Sequence, residues 1–184
     1  MNKVILVDHN DCDIGVADKI QAHIEGQLHR AFSLIIFNSH GEFLLQRRFS
    51  GKYHSPNLLS NACCSHPMPG ENIENAVSRR AFEELGIRLE NFKKIGCRTY
   101  NVNVGGGMIE YEFNHLFVSL YDGPFRPNPT EISELQWRSL NKIELDMQAN
   151  PSTYTSWFIC FCQDRSLLEI LHKISREICD GQFL

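Results

Sequence analysis

The sequence predicts an α+β fold, a mixed set of strands with helices on its flanks, and three observations carry this. Apolar runs of strand length recur along the chain, as in "VILVD" (4–8) and "MIEYEFNHLFVSLY" (108–121). Two other stretches, 71–86 and the last third from about Tyr154 to Cys179, carry helical spacing instead. The chain has 184 residues and is 42% hydrophobic, which suits one domain with a proper core. That domain is expected to span 1–184, with a core over about 30–165 and an N-terminal strand and helix and a C-terminal helix packed on it.

In chain order, "VILVD" is a first strand and "DKIQAHIEGQLH" (18–29) a short helix broken near Gly26. "RAFSLIIFNSHGEFLLQRR" (30–48) reads as a hairpin around Ser39-His40-Gly41. A loop with Gly51, Pro56 and Asn57 leads to "LLSNACC", a further strand. Residues 71–86 form the clearest helix, with Asn72 as N-cap and Gly86 as C-cap. Strands 92–104 and 108–121 flank a Gly105-Gly106-Gly107 turn, and 132–140 is another strand. The C-terminal helical region puts Leu168, Leu171, Ile174 and Ile178 on one side.

Composition excludes several function classes. The net charge of −4 leaves no broad basic surface for nucleic acid. No apolar run approaches the ~18 residues of a membrane span. The N-terminal apolar run is followed by acidic residues and reads as a strand, not a signal peptide. Seven cysteines, without a regular framework or a CxxC pair, point to free thiols in a reducing cytoplasm. Cys160 and Cys162 fall on different faces of a helix and make a poor zinc clamp.

Two features speak for a site. On the 73–85 helix, Ile73, Val77, Ala81 and Leu85 form an apolar stripe, and Arg80 and Glu84 fall inside or beside it. They are either a surface pair one turn apart or a guanidinium and a carboxylate facing a cavity, a pairing suited to phosphate and metal. On 108–116, Glu110 and Glu112 share a strand face about 7 Å apart. That face is either solvated or holds a cation between the carboxylates. His23, His29 and His66 could complete such a site, as three imidazoles with two carboxylates suit Mn²⁺ or Mg²⁺, with Zn²⁺ as an alternative. His9, His40, His54, His115 and His172 show no usable pattern.

Glu71, Arg79, Glu83-Glu84 and Gly86-Ile87 resemble the Nudix signature, with two departures. Ser65 stands where that signature opens on glycine, and Arg80 stands where it has a metal-binding glutamate. The substitution argues for holding a diphosphate, not hydrolysing it. With "AH" (22–23), "LHRAFS" (28–33), "NACCSHP" (61–67), "RRAFEELGI" (79–87) and "EYE" (110–112) in that order, the chain closely resembles type 1 isopentenyl-diphosphate Δ-isomerases, Nudix-fold enzymes, over roughly residues 3–180.

The resemblance implies a function in isoprenoid biosynthesis, the interconversion of isopentenyl and dimethylallyl diphosphate by protonation and deprotonation through a carbocation. It implies Cys64 and Glu112 as catalytic groups, Tyr100 as a hydrogen-bond partner of the carboxylate and Trp157 as a ring facing the cation. Lys19, Arg48, Lys52 and Arg80 would bind the diphosphate of a prenyl substrate. His23, His29, His66, Glu110 and Glu112 would hold Mn²⁺ or Mg²⁺, and Glu84 a second Mg²⁺ bridging to the diphosphate. His23 and His29 are one residue closer together than in bacterial members. Cys63 is assigned to packing, and the chain is expected to be a monomer or weak homodimer. Two other readings stay open: a Nudix pyrophosphohydrolase acting on a nucleotide, and a binding module built on a structural zinc site.

Overall fold

A computed structural model describes residues 3–183. Its elements are β1 (Lys3–Val7), β2 (Asp13–Asp18), α1 (Lys19–Glu25), β3 (His29–Phe37), β4 (Phe43–Arg48), β5 (Leu59–Asn61), β6 (Cys63–Ser65), α2 (Ile73–Arg80), β7 (Lys93–Gly105), β8 (Met108–Leu120), β9 (Ile132–Arg138), α3 (Leu140–Ala149), α4 (Ser156–Gln163) and α5 (Arg165–Cys179).

The strands form one mixed, branched sheet. β3 runs parallel to β8 along its whole length, from His29 opposite Glu112 to Phe37 opposite Leu120, and β8 pairs antiparallel with β7. β6 lies on the other side of β3. The predicted hairpin partners, β3 and β4, meet only at Phe37 and Phe43, and β4 then pairs with β5 and β9. The fold diverges there because both strands have longer partners elsewhere. "LLSNACC" is two short strands, since β5 pairs with β4 and β6 with β3.

Alternation along the strands builds two cores. Phe32, Leu34, Ile36, Leu44 and Phe117 pack against Ala76, Val77, Ala81 and Leu85 on the α2 side. Ile35, Phe37, Phe43, Leu45, Leu116 and Val118 face α3–α5, where Trp157, Phe158, Phe161 and Leu171 cover them. The register of α5 shifts from expectation: Leu167, not Leu168, joins Leu171, Ile174 and Ile178 in the core. Two elements had no legible signal. β2 is an exposed edge strand, and α3 begins at Leu140, where the predicted strand 132–140 ends.

Helix ends follow their caps. Asp18 and Asn72 accept from backbone N–H groups in the first turns of α1 and α2. Residues 81–85 continue α2 as a π-turn, which ends at Gly86 in the left-handed conformation (φ 67°). A side chain at Gly86 would meet the Arg126 carbonyl, so glycine is required there by both backbone angle and space.

Candidate active site

The face of β8 that carries Leu116 and Val118 into the core carries Asn114, Glu112 and Glu110 toward its other end. Strand β3 does the same: Phe37 and Ile35 give way to Ser33 and His29. The site therefore begins where one sheet face changes from apolar to polar, and all five of these polar residues are buried. Such groups are costly to bury without partners, so their contacts define the site's chemistry.

Helix α1 brings His23 over this face, and the Gly26 turn (φ 61°) returns the chain to His29. The short spacing suffices, since the two rings lie 4.8 Å apart. His66 follows β6, its ring 4.9 Å from that of His29. Ligand atoms of His23, His29, His66, Glu110 and Glu112 all fall within 4.8 Å of one another.

The ring tautomers fit a cation. His23 Nδ1 lies 2.6 Å from the Lys19 carbonyl and His29 Nδ1 2.8 Å from the Gln27 carbonyl. A carbonyl can only accept, so each Nδ1 carries the proton and each Nε2 offers a lone pair. His23 Nε2 then sits 3.2 Å from Glu110 Oε2, two buried acceptors without a hydrogen between them. His29 Nε2 lies 3.2 Å from His66 Nε2 and 3.8 Å from Glu112 Oε1. Lone pairs converge here, and the donor set of imidazole and carboxylate suits a divalent metal ion.

The two carboxylates are driven apart. Burial raises the Glu110 carboxyl, but the imidazoles of His23 and His54 beside it outweigh this and hold it well below the ordinary range. Burial and the neighbouring Glu110 charge push Glu112 well above that range. The Tyr100 phenol donates to Glu112 Oε2, and Asn114 Nδ2 donates to the same oxygen at 2.9 Å.

Cys63 and Cys64 divide by strand alternation. Cys63 is fully buried in the α2-side core, while Cys64 points to the opposite face and lines the pocket. The Cys64 thiol donates to Asn61 Oδ1 at 3.0 Å and lies 3.2 Å from Ser33 Oγ. Burial pushes this thiol up to about 12. All seven cysteines are free.

Trp157 (2% exposed) both packs in the core and lines the pocket, with its indole N–H donating to Ser60 Oγ at 3.0 Å. Lys19, Arg48, Lys52 and Arg80 line the same pocket, as does Glu84. Their other contacts differ. Arg48 spends two donors on the Ser55 and His54 carbonyls, each at 3.1 Å, and stacks over Trp157. Lys52 pairs with Glu131. Arg80 bonds Glu84 Oε1 and Glu83 Oε2. Outside lies a vestibule of about 420 Å³ that shares Lys19, Lys52, Ser65, His66 and Arg80 with the inner pocket. Glu71 grips Arg79 and accepts from the Met68 N–H, closing the loop before α2.

His54 corrects the sequence reading, which found no pattern for it. It is 5% exposed, lines the pocket and places Nε2 3.0 Å from Glu110 Oε1. Burial holds its ring below the ordinary histidine range. Its loop has no periodicity, so only the fold could reveal it.

This fold and site define a class. The NUDIX domain model matches residues 27–158. Known structures agree on the fold: a protein of Deinococcus radiodurans is 19% identical with a TM-score of 0.72, covering 93% of this chain and 98% of that one. The MutT protein of Methanosarcina mazei is 20% identical with a TM-score of 0.61, covering 79% and 94%. Sequence relatives are closer. Isopentenyl-diphosphate Delta-isomerase 2 of Aromatoleum aromaticum is 44% identical over 164 residues, 89% of this chain and 86% of its own. The isopentenyl-diphosphate Delta-isomerase of Burkholderia multivorans is 40% identical over 171 residues, 93% and 96%. That of Pectobacterium atrosepticum is 41% identical over 158 residues, 86% and 88%. The chain belongs to the isopentenyl-diphosphate Δ-isomerase family of Nudix-domain proteins.

Proposed function

We propose that the protein interconverts isopentenyl and dimethylallyl diphosphate, and that Cys64 and Glu112 move the two protons. The observation that carries this is their meeting in one buried pocket beneath four cationic side chains. An alkene is a very weak base and the intermediate is a tertiary cation, so the reaction needs a strong acid, a base across from it and no water. Glu112, with the Tyr100 phenol hydrogen-bonded behind it, and Cys64 are the two groups of this pocket that exchange those protons. One gives its proton to the alkene while the other, in its deprotonated form, takes the second proton, and the reverse reaction exchanges the roles. Positioned proton transfer contributes about 10²–10⁴-fold. The indole of Trp157 adds about 2 kcal/mol, or roughly 30-fold, as a desolvated cation–π contact. The remainder comes from holding the substrate in a dry, preorganised pocket.

His23, His29, His66, Glu110 and Glu112 would hold Mn²⁺ or Mg²⁺, with Zn²⁺ as the alternative, and Glu84 would hold a second Mg²⁺ at the diphosphate. A divalent ion there would supply positive charge that tunes Glu112 and neutralises phosphate oxygens. Lys19, Arg48, Lys52 and Arg80 orient the diphosphate and leave the hydrocarbon toward Cys64 and Trp157. In this reading the protein is a cytoplasmic enzyme of isoprenoid biosynthesis, folded as one domain and monomeric or weakly dimeric; among the described residues no helix is long and apolar enough to cross a membrane.

The test is incubation with isopentenyl diphosphate and Mg²⁺ in D₂O. Deuterium in a methyl group of dimethylallyl diphosphate is the expected result. Release of inorganic phosphate, or recovery of unlabelled substrate, rejects the reading.

A further inference from the structure

Glu110 has a partner on each oxygen. Oε2 faces the lone pair of His23 Nε2 at 3.2 Å, and Oε1 faces His54 Nε2 at 3.0 Å. His54 lies outside the five residues whose ligand atoms converge. Its other ring nitrogen, Nδ1, is 3.3 Å from Ser55 Oγ, a hydroxyl able to donate to it. With that donation the proton sits on Nε2, and the bond to Glu110 runs from imidazole to carboxylate.

The ring is fixed on every side. Its edge meets Trp157 at 5.6 Å and Tyr53 at 4.5 Å, and it stacks on His23 at 6.0 Å. Arg48 clamps the loop by taking the His54 and Ser55 carbonyls, and Ser55 itself is held at a positive φ of 48°. A side chain so placed holds a direction better than water could, because its position is already set by packing.

We propose that His54 is a positioning residue of the metal centre: its Nε2–H holds Glu110 Oε1 so that Oε2 faces the cation site beside His23. The inference rests on the metal reading of the His/Glu cluster. Removing an outer partner of a ligand carboxylate costs about 10–100-fold in metal affinity. Glutamine can place an N–H near the position of Nε2, whereas alanine cannot.

The experiment titrates the metal-stripped wild type, His54→Ala and His54→Gln with Mn²⁺ alone, and counts directly coupled nitrogens by pulsed electron paramagnetic resonance. Wild type is expected to bind with three imidazole nitrogens. His54→Ala should bind 10–100-fold more weakly, and His54→Gln should recover most of the loss with three nitrogens retained. Wild-type affinity in His54→Ala overturns the inference while leaving the metal centre standing. Loss of a nitrogen in His54→Gln also overturns it, since His54 would then be a ligand. A His54→Gln protein that folds but binds as weakly as His54→Ala removes the donor role. Failure of the wild type to bind Mn²⁺ through imidazoles overturns both readings.

Discussion

Tyr100 and Glu112 are direct cross-strand partners on β7 and β8, and the phenol donates to the carboxyl oxygen that Asn114 also contacts. On its other side Glu112 is the register partner of His29. One carboxyl therefore stands between a proton-bearing phenol and an imidazole lone pair, with its position fixed by the sheet. Tyr100→Phe removes only the hydroxyl from a buried ring. It should lower kcat by about 10–100-fold with little change in KM, because the loss falls on the proton-transfer step. Glu112→Gln should nearly abolish turnover. Steady-state kinetics on both variants decides it, and a Tyr100→Phe enzyme with wild-type kcat removes the phenol from the proton path.

The two adjacent cysteines should separate cleanly. Cys64→Ala is expected to lose isomerisation almost completely while still binding dimethylallyl diphosphate. Cys63→Ala should remain active and lose about 1 kcal/mol of stability from the small void left in the α2-side core. Denaturant unfolding and turnover measured on the same preparations check both. Robust turnover by Cys64→Ala rejects its role.

Chelation should loosen the N-terminal segment. α1 places His23 on the site, and the face of His23 toward Glu110 has two acceptors and no hydrogen between them. A bound cation converts that repulsion into attraction, so metal binding stabilises the folded form by mass action. Metal-stripped protein should melt at lower temperature and be cut faster by protease within the segment that ends at His29. Equal cleavage with and without Mn²⁺ speaks against metal-dependent ordering.

The legible parts of this molecule were those written in local chemistry. Asn72 and Gly86 mark the α2 block because capping and a left-handed turn demand those residue types. The alternation through Glu110 and Glu112 marked a shared strand face, though not that the face is buried. What stayed hidden depends on distant partners. β2 carries Ile14 and Val16 on an exposed edge and not into a core, and α3 begins after a strand with only Ser139 between them. His54 reaches the site on a loop whose carbonyls are held by the Arg48 side chain. The cation positions were matched by resemblance and the Arg80–Glu84 pair was legible from its one-turn spacing, but the tie of Lys52 to Glu131 comes from folding alone.

Substrate affinity should fall at alkaline pH through Lys52. Burial pushes this lysine down to about 8, with Arg48, Lys19 and Arg80 adding to the effect; Glu84 opposes it, as does the Glu131 contact. In the proposed function the ammonium form binds diphosphate, and a bound anion would raise the lysine's pKa. Above pH 8 the free protein must therefore take up a proton to bind, and KM should rise by up to about tenfold per pH unit. Below pH 8 Lys52 is already charged and contributes no slope. Lys52→Arg stays charged across this range and should flatten the profile. A wild-type KM that is constant from pH 7 to 9.5 would remove Lys52 from the binding step.

Arg80→Glu restores the carboxylate that the Nudix signature carries at this position, yet it should not create a hydrolase. Arg80 neutralises Glu84 and shares Glu83 with Arg79, with Glu131 3.6 Å away. A glutamate there would bring like charges together at the mouth of the diphosphate pocket and remove one of its four cations. The expected result is a KM raised at least tenfold, with little phosphate release from prenyl or nucleoside diphosphates. Arg80→Lys keeps the charge but loses the forked geometry, so it should fall between the two. Measuring isomerisation and phosphate release together on the three proteins decides the matter. Efficient hydrolysis by Arg80→Glu would show that one arginine separates the two activities.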